Sequence, residues 1–170
     1  SGSHITIFIP SFRGGGAERA MINLANGLCE SYSRRGIKIE VSLLVVDDSG
    51  EYRDEVNPLV PVHSFSRSRA LWSFFGLIQF YNFQRPDVVI SSMPHLNVLA
   101  TFARRFSTSR PKIIVTERNT YSELRKHGSR KDRFLHIFVK RSYLSADAIV
   151  AVSEGVADDL CLQFSFERKD

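Results

Sequence analysis

Short apolar segments alternate with amphipathic segments along the chain, and this alternation constrains the fold more than any other feature. The apolar segments are rich in Ile, Val and Phe at consecutive positions, which is typical of strands buried on both faces. The predicted strands are residues 5–10, 37–46, 60–65, 87–91, 112–116 and 148–152. The predicted helices are residues 17–31, 71–84, 96–106, 132–145 and 155–164. This order predicts an α/β fold with a doubly wound, mainly parallel sheet of the Rossmann-like type.

A chain of 170 residues suits one ordinary domain. Residues 1–4 have the composition of a cleaved expression tag, so we expect the domain to occupy residues 5–165. The two cysteines, Cys29 and Cys161, lie on different predicted helices and form no metal-binding or disulfide pattern, which favours a reducing, cytoplasmic setting. The longest apolar stretch, residues 71–83, is shorter than the roughly 20 residues that a membrane-spanning helix needs.

The positive charge is concentrated in the middle of the sequence. Residues 67–143 contain fifteen Lys or Arg against four Asp or Glu, whereas both flanking regions are acidic. Two stretches in this region, residues 67–75 and 130–136, also contain large apolar side chains. Such a mixture suits phosphate groups or an anionic membrane surface, although a solvated basic surface is the alternative.

Ligands of doubly wound sheets bind beyond the carboxyl ends of the strands, so the segments that follow each strand are the candidate site. The first strand is followed by Gly14, Gly15 and Gly16, flanked by Arg13 and Arg19. Backbone N–H groups at such a turn and the dipole of the next helix favour an anion, and phosphate is the expected guest. A tight turn that uses glycine only for steric reasons is the alternative interpretation.

Two later segments add polar groups to the same predicted edge. His95 could shuttle a proton or bind a substrate hydroxyl, and Asn97 could hold a ligand or cap the helix. Glu117, Arg118 and Asn119 follow the strand at residues 112–116, where the first two could bind substrate or simply form a salt bridge.

Four motifs together resemble the N-terminal domain of family 4 retaining glycosyltransferases, in particular bacterial members that extend lipid-linked saccharides. They are Gly-Gly-Gly-Ala-Glu-Arg at 14–19, Arg-Pro-Asp-Val-Val-Ile-Ser at 85–91, Thr-Glu-Arg-Asn at 116–119 and Ala-Ile-Val-Ala-Val-Ser-Glu-Gly-Val at 148–156. Many members have a histidine directly after the fourth main strand, and this sequence departs from them with Ser92 there and a histidine only at His95.

The resemblance implies the N-terminal, acceptor-side half of a two-domain GT-B enzyme of polysaccharide biosynthesis. Such an enzyme moves a sugar with retention from a nucleotide diphosphate sugar, here expected to be a UDP-sugar, to a saccharide or lipid-linked acceptor. In the family the turn that corresponds to Gly14, Gly15 and Gly16 lies against donor phosphates or acceptor. The resemblance also implies no metal or cofactor, a location at the inner face of the cell membrane, and no turnover without the partner C-terminal domain.

Two other classes remain open from the residues alone. A Rossmann oxidoreductase or epimerase would use Asp47 or Asp48 to hold a ribose, but Arg19 stands where the dinucleotide fingerprint needs its third glycine. A nucleic-acid-binding module would use the basic segment, yet none of the common nucleic-acid-binding motifs is present, so we expect no nucleic-acid partner.

Overall fold

Six parallel strands and five α-helices form the part of the chain that the computed structural model describes, which is residues 2–65, 70–118 and 130–164. The strands are β1 (Ser3–Ser11), β2 (Ile39–Asp47), β3 (Val62–Ser64), β4 (Val88–Ser92), β5 (Lys112–Glu117) and β6 (Ala148–Ala151). The helices are α1 (Gly16–Arg34), α2 (Ala70–Gln84), α3 (Pro94–Phe106), α4 (Arg130–Ser145) and α5 (Glu154–Phe164). The predicted α/β class and parallel sheet are therefore confirmed.

The strand order is β3-β2-β1-β4-β5-β6, so the direction of winding reverses between β1 and β4. Ile7 of β1 is paired with Leu43 of β2 on one side and with Ile90 of β4 on the other. Because the strands are parallel, their carboxyl ends meet at one edge of the sheet. The reversal separates the loops after β1 and β4, and it opens a crevice between them.

Apolar side chains cover both faces of the sheet in two clusters. The face covered by α1 contains residues such as Ile7, Ile22 and Leu43. The opposite face packs against the other four helices and contains residues such as Leu77 and Val139. Burial on both faces explains why the strands are apolar at nearly every position.

Strand β1 begins at Ser3, two residues before the predicted start at Ile5. The backbone N–H of His4 donates to Asp87 Oδ2 at 2.7 Å, and the His4 ring lies 2.8 Å from the Ser42 hydroxyl. Polar partners on β2 and directly before β4 thus extend the strand beyond the apolar segment that marked it in the sequence.

Strand β2 starts later than predicted, at Ile39, because α1 continues to Arg34 and ends in a turn at Gly36. Gly36 has a φ of +64°, in the left-handed region that glycine adopts without strain. Helix α1 therefore continues through residues 32–34, which the apolar pattern alone assigns neither to a helix nor to a strand.

A 3-10 helix, Glu51–Glu55, follows β2 and was not predicted. It is preceded by Gly50, which has a φ of +137° and packs directly on the backbone after β1. A Cβ at Gly50 would lie 1.9 Å from the carbonyl carbon of Phe12. The loops after β1 and β2 are consequently in backbone contact, which only glycine permits.

We expect Gly50→Ala to lower the free energy of unfolding by about 2 kcal/mol or more, because alanine is strained at this φ and collides with backbone. Chemical denaturation measures the change. Gly27→Ala is the matched control: Gly27 is exposed within α1 with open space around it, and alanine there should raise the free energy by about 0.5–1 kcal/mol. Equal stabilities of the Gly50 variant and wild type would contradict the close contact.

Candidate functional site

The Gly-rich turn after β1 is held in place by the loop after β2. The Phe12 N–H donates to the Ser49 carbonyl at 3.1 Å, and the Tyr52 N–H donates to the Phe12 carbonyl at 3.0 Å. Phe12 itself is fully buried beneath the turn. The backbone of the turn is therefore fixed before any ligand arrives.

The N-terminus of α1 opens toward the crevice. Gly15 caps the helix with extended backbone, and no side chain caps it there. A Cβ on Gly16 would meet nothing within 4 Å, whereas one on Gly15 would lie 2.2 Å from Oε2 of Glu18. The Glu18 carboxylate thus lies over the first turn of the helix, where the helix dipole favours negative charge.

Arg13 and Arg19 both point toward the loop after β2. Arg13 contacts Asp47 Oδ2 at 3.1 Å, and its Nε donates to the Ser49 hydroxyl at 2.9 Å. Arg19 contacts Glu55 Oε2 at 3.4 Å. With 69% of the Arg13 side chain and 57% of the Arg19 side chain exposed, these ion pairs are weak.

Arg118 joins the end of β5 to the start of α1. Its guanidinium donates to the Ala17 carbonyl at 3.3 Å. Strand β4 lies between β1 and β5 in the sheet, so this side chain crosses the end of β4. Of the three candidate arginines, Arg118 is the one directed at the reversal point between β1 and β4.

Asn97 and Glu117 lie in a buried polar network on the face of the sheet covered by α3 and α4. Asn97 accepts a hydrogen bond from the Ser91 hydroxyl at 2.7 Å, and it donates to the Thr116 carbonyl and to the Tyr143 hydroxyl, each at 3.2 Å. Glu117 accepts hydrogen bonds from the Tyr143 hydroxyl and from the Arg118 N–H. Both side chains are buried, so this arrangement favours a structural role in which they set the loops after β4 and β5.

His95, in the first turn of α3, is exposed to solvent at the crevice. Partial desolvation of the ring lowers the pKa of the His95 imidazole below its usual value, and the Glu18 carboxylate partly opposes this effect. The Glu18 carboxylate at the start of α1 therefore acts electrostatically on the imidazole of His95. A neutral imidazole near pH 7 is suited to accept a proton or a hydrogen bond.

The last residue of β4 and the turn into α3 show two features that residue type did not reveal. Met93 has a φ of +81°, a strained conformation for a non-glycine residue, and it precedes Pro94. Ser92 is 2% exposed, and its hydroxyl has no hydrogen-bond partner in the described part of the protein. Strain and an unpaired buried hydroxyl at a crevice are signs of a functional position.

Ser153 caps the N-terminus of α5, because its hydroxyl accepts the Val156 N–H at 3.3 Å. Asn119 lies outside the described residues. Within residues 2–65, 70–118 and 130–164, no group of three or more His, Cys, Asp or Glu side chains is arranged to hold a metal ion.

The crevice therefore brings together a helix N-terminus, His95, Ser92 and Arg118 at the reversal point of a Rossmann-like sheet. This is the ligand-binding place of doubly wound α/β domains. The model of Glycosyltransferase Family 4 matches residues 14–170. The chain belongs to this family, and the resemblance found in its motifs is confirmed.

Solved structures of glycosyltransferases share the fold at low sequence identity. The lipopolysaccharide outer core galactosyltransferase WaaB in its apo form is 16% identical, with a TM-score of 0.62 over 95% of this chain and 42% of that chain. MurG from Acinetobacter baumannii is 14% identical, with a TM-score of 0.57 over 91% of this chain and 42% of that chain.

An α-glucosyltransferase in complex with UDP and a 13-mer DNA containing a HMU base is also similar. It is 12% identical, with a TM-score of 0.58 over 99% of this chain and 41% of that chain. The chain thus spans about two-fifths of the length of these GT-B enzymes, which corresponds to one of their domains. A search of curated protein sequences gave no significant match.

We expect His95 to titrate below 6.5, its ordinary value, in an NMR pH titration of the chain. Glu18→Gln should lower the pKa of His95 further, because a carboxylate that favours the imidazolium is removed. Since the folded chain disfavours protonated His95, its protonation at acidic pH lowers the free energy of unfolding. His95→Gln identifies the resonance, and a pKa at or above the ordinary value would contradict the desolvation of the ring.

Proposed function

We propose that the whole protein transfers a sugar, with retention, from a UDP-sugar to an acceptor hydroxyl, and that this chain forms the acceptor-side wall of the cleft. The observation that carries the proposal is the crevice between β1 and β4, where the N-terminus of α1 and Arg118 lie together. Family membership supports the reaction type.

The chemistry needs positive potential where the leaving diphosphate develops charge. As the bond between the sugar and the diphosphate breaks, negative charge grows on the phosphate oxygens, and preorganised N–H donors stabilise it. The turn of Gly14, Gly15 and Gly16 offers such donors, and Arg118 offers a guanidinium beside them. We assign the same role to Arg13 and Arg19 once they leave their exposed ion pairs.

The structural relatives support UDP as the nucleotide. The α-glucosyltransferase was solved with UDP, and WaaB is described as a galactosyltransferase. Because the chain spans only about two-fifths of such enzymes, a further domain would hold most of the donor, and the chain alone would not turn over substrate. We propose that no metal is required, and chelation by EDTA should leave the rate unchanged.

The oxidoreductase alternative loses support from family membership, which favours glycosyl transfer. Arg19 also stands where the dinucleotide fingerprint needs its third glycine. Asp47 contacts Arg13 and Asp48 contacts Arg53 at 3.2 Å, but these pairs are exposed and weak, so the carboxylates do not decide between the two functions.

We propose a lipid-linked acceptor and peripheral contact with an anionic membrane. Phe75 and Phe106 are 57% and 67% exposed, and both rings lie 5.7 Å from that of Phe74. Arg105, the residue before Phe106, lines a groove together with Arg110 and Lys112. Exposed aromatic rings beside cations are suited to an anionic lipid interface. In the described residues no helix is long and apolar enough to cross a bilayer.

We expect Arg118→Ala in the full-length enzyme to lower kcat/KM for the UDP-sugar at least 10- to 100-fold, because a cation near the leaving diphosphate is lost. The assay follows transfer from a panel of UDP- and GDP-sugars to membrane extract. Arg34→Ala is the control, since Arg34 is exposed at the far end of α1 and pairs with Glu30. Transfer by the wild type from no donor would overturn the proposed function.

We expect Phe75→Ser combined with Phe106→Ser to reduce sedimentation of the chain with phosphatidylglycerol-containing vesicles, because the apolar contact is removed. Leu162→Ser is the control, as Leu162 is 82% exposed on α5 and lies outside the aromatic patch. Pure phosphatidylcholine vesicles should bind the wild type more weakly. Unchanged sedimentation of the double variant would argue against this surface.

A further inference from the structure

The unpaired hydroxyl of Ser92 points to a ligand contact. In a folded protein a buried hydroxyl is normally paired, because an unpaired one is costly. Ser92 is 2% exposed, its Oγ has no partner among the described residues, and it occupies the last position of β4. The energetic cost of the unpaired hydroxyl therefore falls at the crevice, which is where domains of this fold bind their ligands.

The direction of the Ser92 side chain follows from the alternation along β4. Val89 packs in the cluster under α3, and Ser91 donates its hydrogen bond to Asn97 of α3. Ile90 packs on the opposite cluster, the one under α1. Because successive side chains of a strand point to opposite faces, Ser92 points to the side of α1.

Arg118 reaches from the end of β5 past the end of β4 to the start of α1. Ser92 is paired in register with Thr116, two residues before Arg118, and the Arg118 side chain crosses the end of β4 to reach Ala17. This crossing side chain is held at its far end by one hydrogen bond of 3.3 Å to a backbone carbonyl. A ligand that offers a stronger, anionic acceptor would draw the guanidinium away from this carbonyl.

The backbone next to Ser92 is held under strain. Met93 keeps a φ of +81° directly after Ser92 and before Pro94. Strained residues persist where the surrounding structure requires a particular geometry, and they cluster at ligand-binding positions. This observation is independent of the unpaired hydroxyl and marks the same place.

We propose that Ser92 is a ligand-binding residue whose hydroxyl donates a hydrogen bond to a phosphate oxygen of a bound diphosphate. Arg118 turns from the Ala17 carbonyl to the same diphosphate, and the first N–H groups of α1 complete the site. The carboxylate of Glu18, which lies over Gly15, moves aside for the incoming anion. The inference rests on the proposed function insofar as the diphosphate is that of a nucleotide sugar.

The test titrates the isotope-labelled 170-residue chain with inorganic pyrophosphate and follows backbone amides by NMR. In the wild type, we expect the amides of Gly15, Gly16 and Ser92 to shift with saturation. Ser92→Ala should weaken pyrophosphate binding about tenfold, through loss of a hydrogen bond to a charged group. Ser92→Thr keeps a hydroxyl and should bind like the wild type. Absence of saturable shifts in the wild type, or equal binding by Ser92→Ala, would overturn the inference.

The stability of the folded chain provides a second measurement. A serine whose hydroxyl has a structural partner would lose stability when replaced by alanine, whereas an unpaired one would not. Ser92→Ala removes an unpaired buried hydroxyl and should raise the ratio of folded to unfolded chain about fivefold. Ser91→Ala removes a hydroxyl that is bonded to Asn97 and should lower that ratio. A loss of stability in Ser92→Ala similar to that in Ser91→Ala would assign Ser92 a structural partner and overturn the inference.

The outcomes separate this inference from the proposed function. Pyrophosphate binding that depends on Ser92, in a protein whose full-length form transfers no sugar, would keep the diphosphate site and remove the glycosyltransferase assignment. Sugar transfer by the full-length enzyme that is unaffected by Ser92→Ala would keep the assignment and remove Ser92 from the site.

Discussion

Parallel pairing with one reversal of direction, between β1 and β4, is the constraint on which the rest of the structure depends. It gathers the carboxyl ends of six strands at one edge and leaves a crevice where the winding changes direction. Loops that are distant in sequence meet there, so that Arg118 contacts the carbonyl of Ala17. The polar groups of the site are adjacent because hydrogen bonding between parallel neighbouring strands places the ends of those strands side by side.

Chemical division between the two faces of the sheet gives the site its character. On the face of α3 and α4, a network around Asn97 pairs the polar groups that fix the ends of β4 and β5. Toward α1, at the ends of the strands, are the unpaired Ser92 hydroxyl, the exposed His95 imidazole, which feels the Glu18 charge, and Arg118, which is held by a 3.3 Å hydrogen bond. The polar groups on the face of α3 and α4 are hydrogen-bonded to one another, whereas the groups toward α1 are available to bind a ligand.

Much of this fold follows from the sequence, because burial on both faces makes the strands continuously apolar and the helices between them amphipathic. The position of the crevice also follows, since it depends only on strand order and direction. Strand ends were less accurate where pairing rests on polar contacts, as at His4 with Asp87 and Ser42. Side-chain direction was what the sequence could not supply. Asn97 attracts notice by its type but lies in the core. Ser92 is marked in the sequence only as a departure from the family's histidine, and its role depends on which face of β4 its side chain occupies and on its unpaired hydroxyl.

The contact of Gly50 with the Phe12 carbonyl has a consequence for engineering of this domain. The turn after β1 and the loop after β2 behave as one module, because their backbones touch and exchange two hydrogen bonds through Phe12. Transplanting either loop alone from a relative of another specificity would break the fit at that contact. Chimeras should therefore exchange both loops together, with the glycine included, and recombination between them is expected to be poorly tolerated.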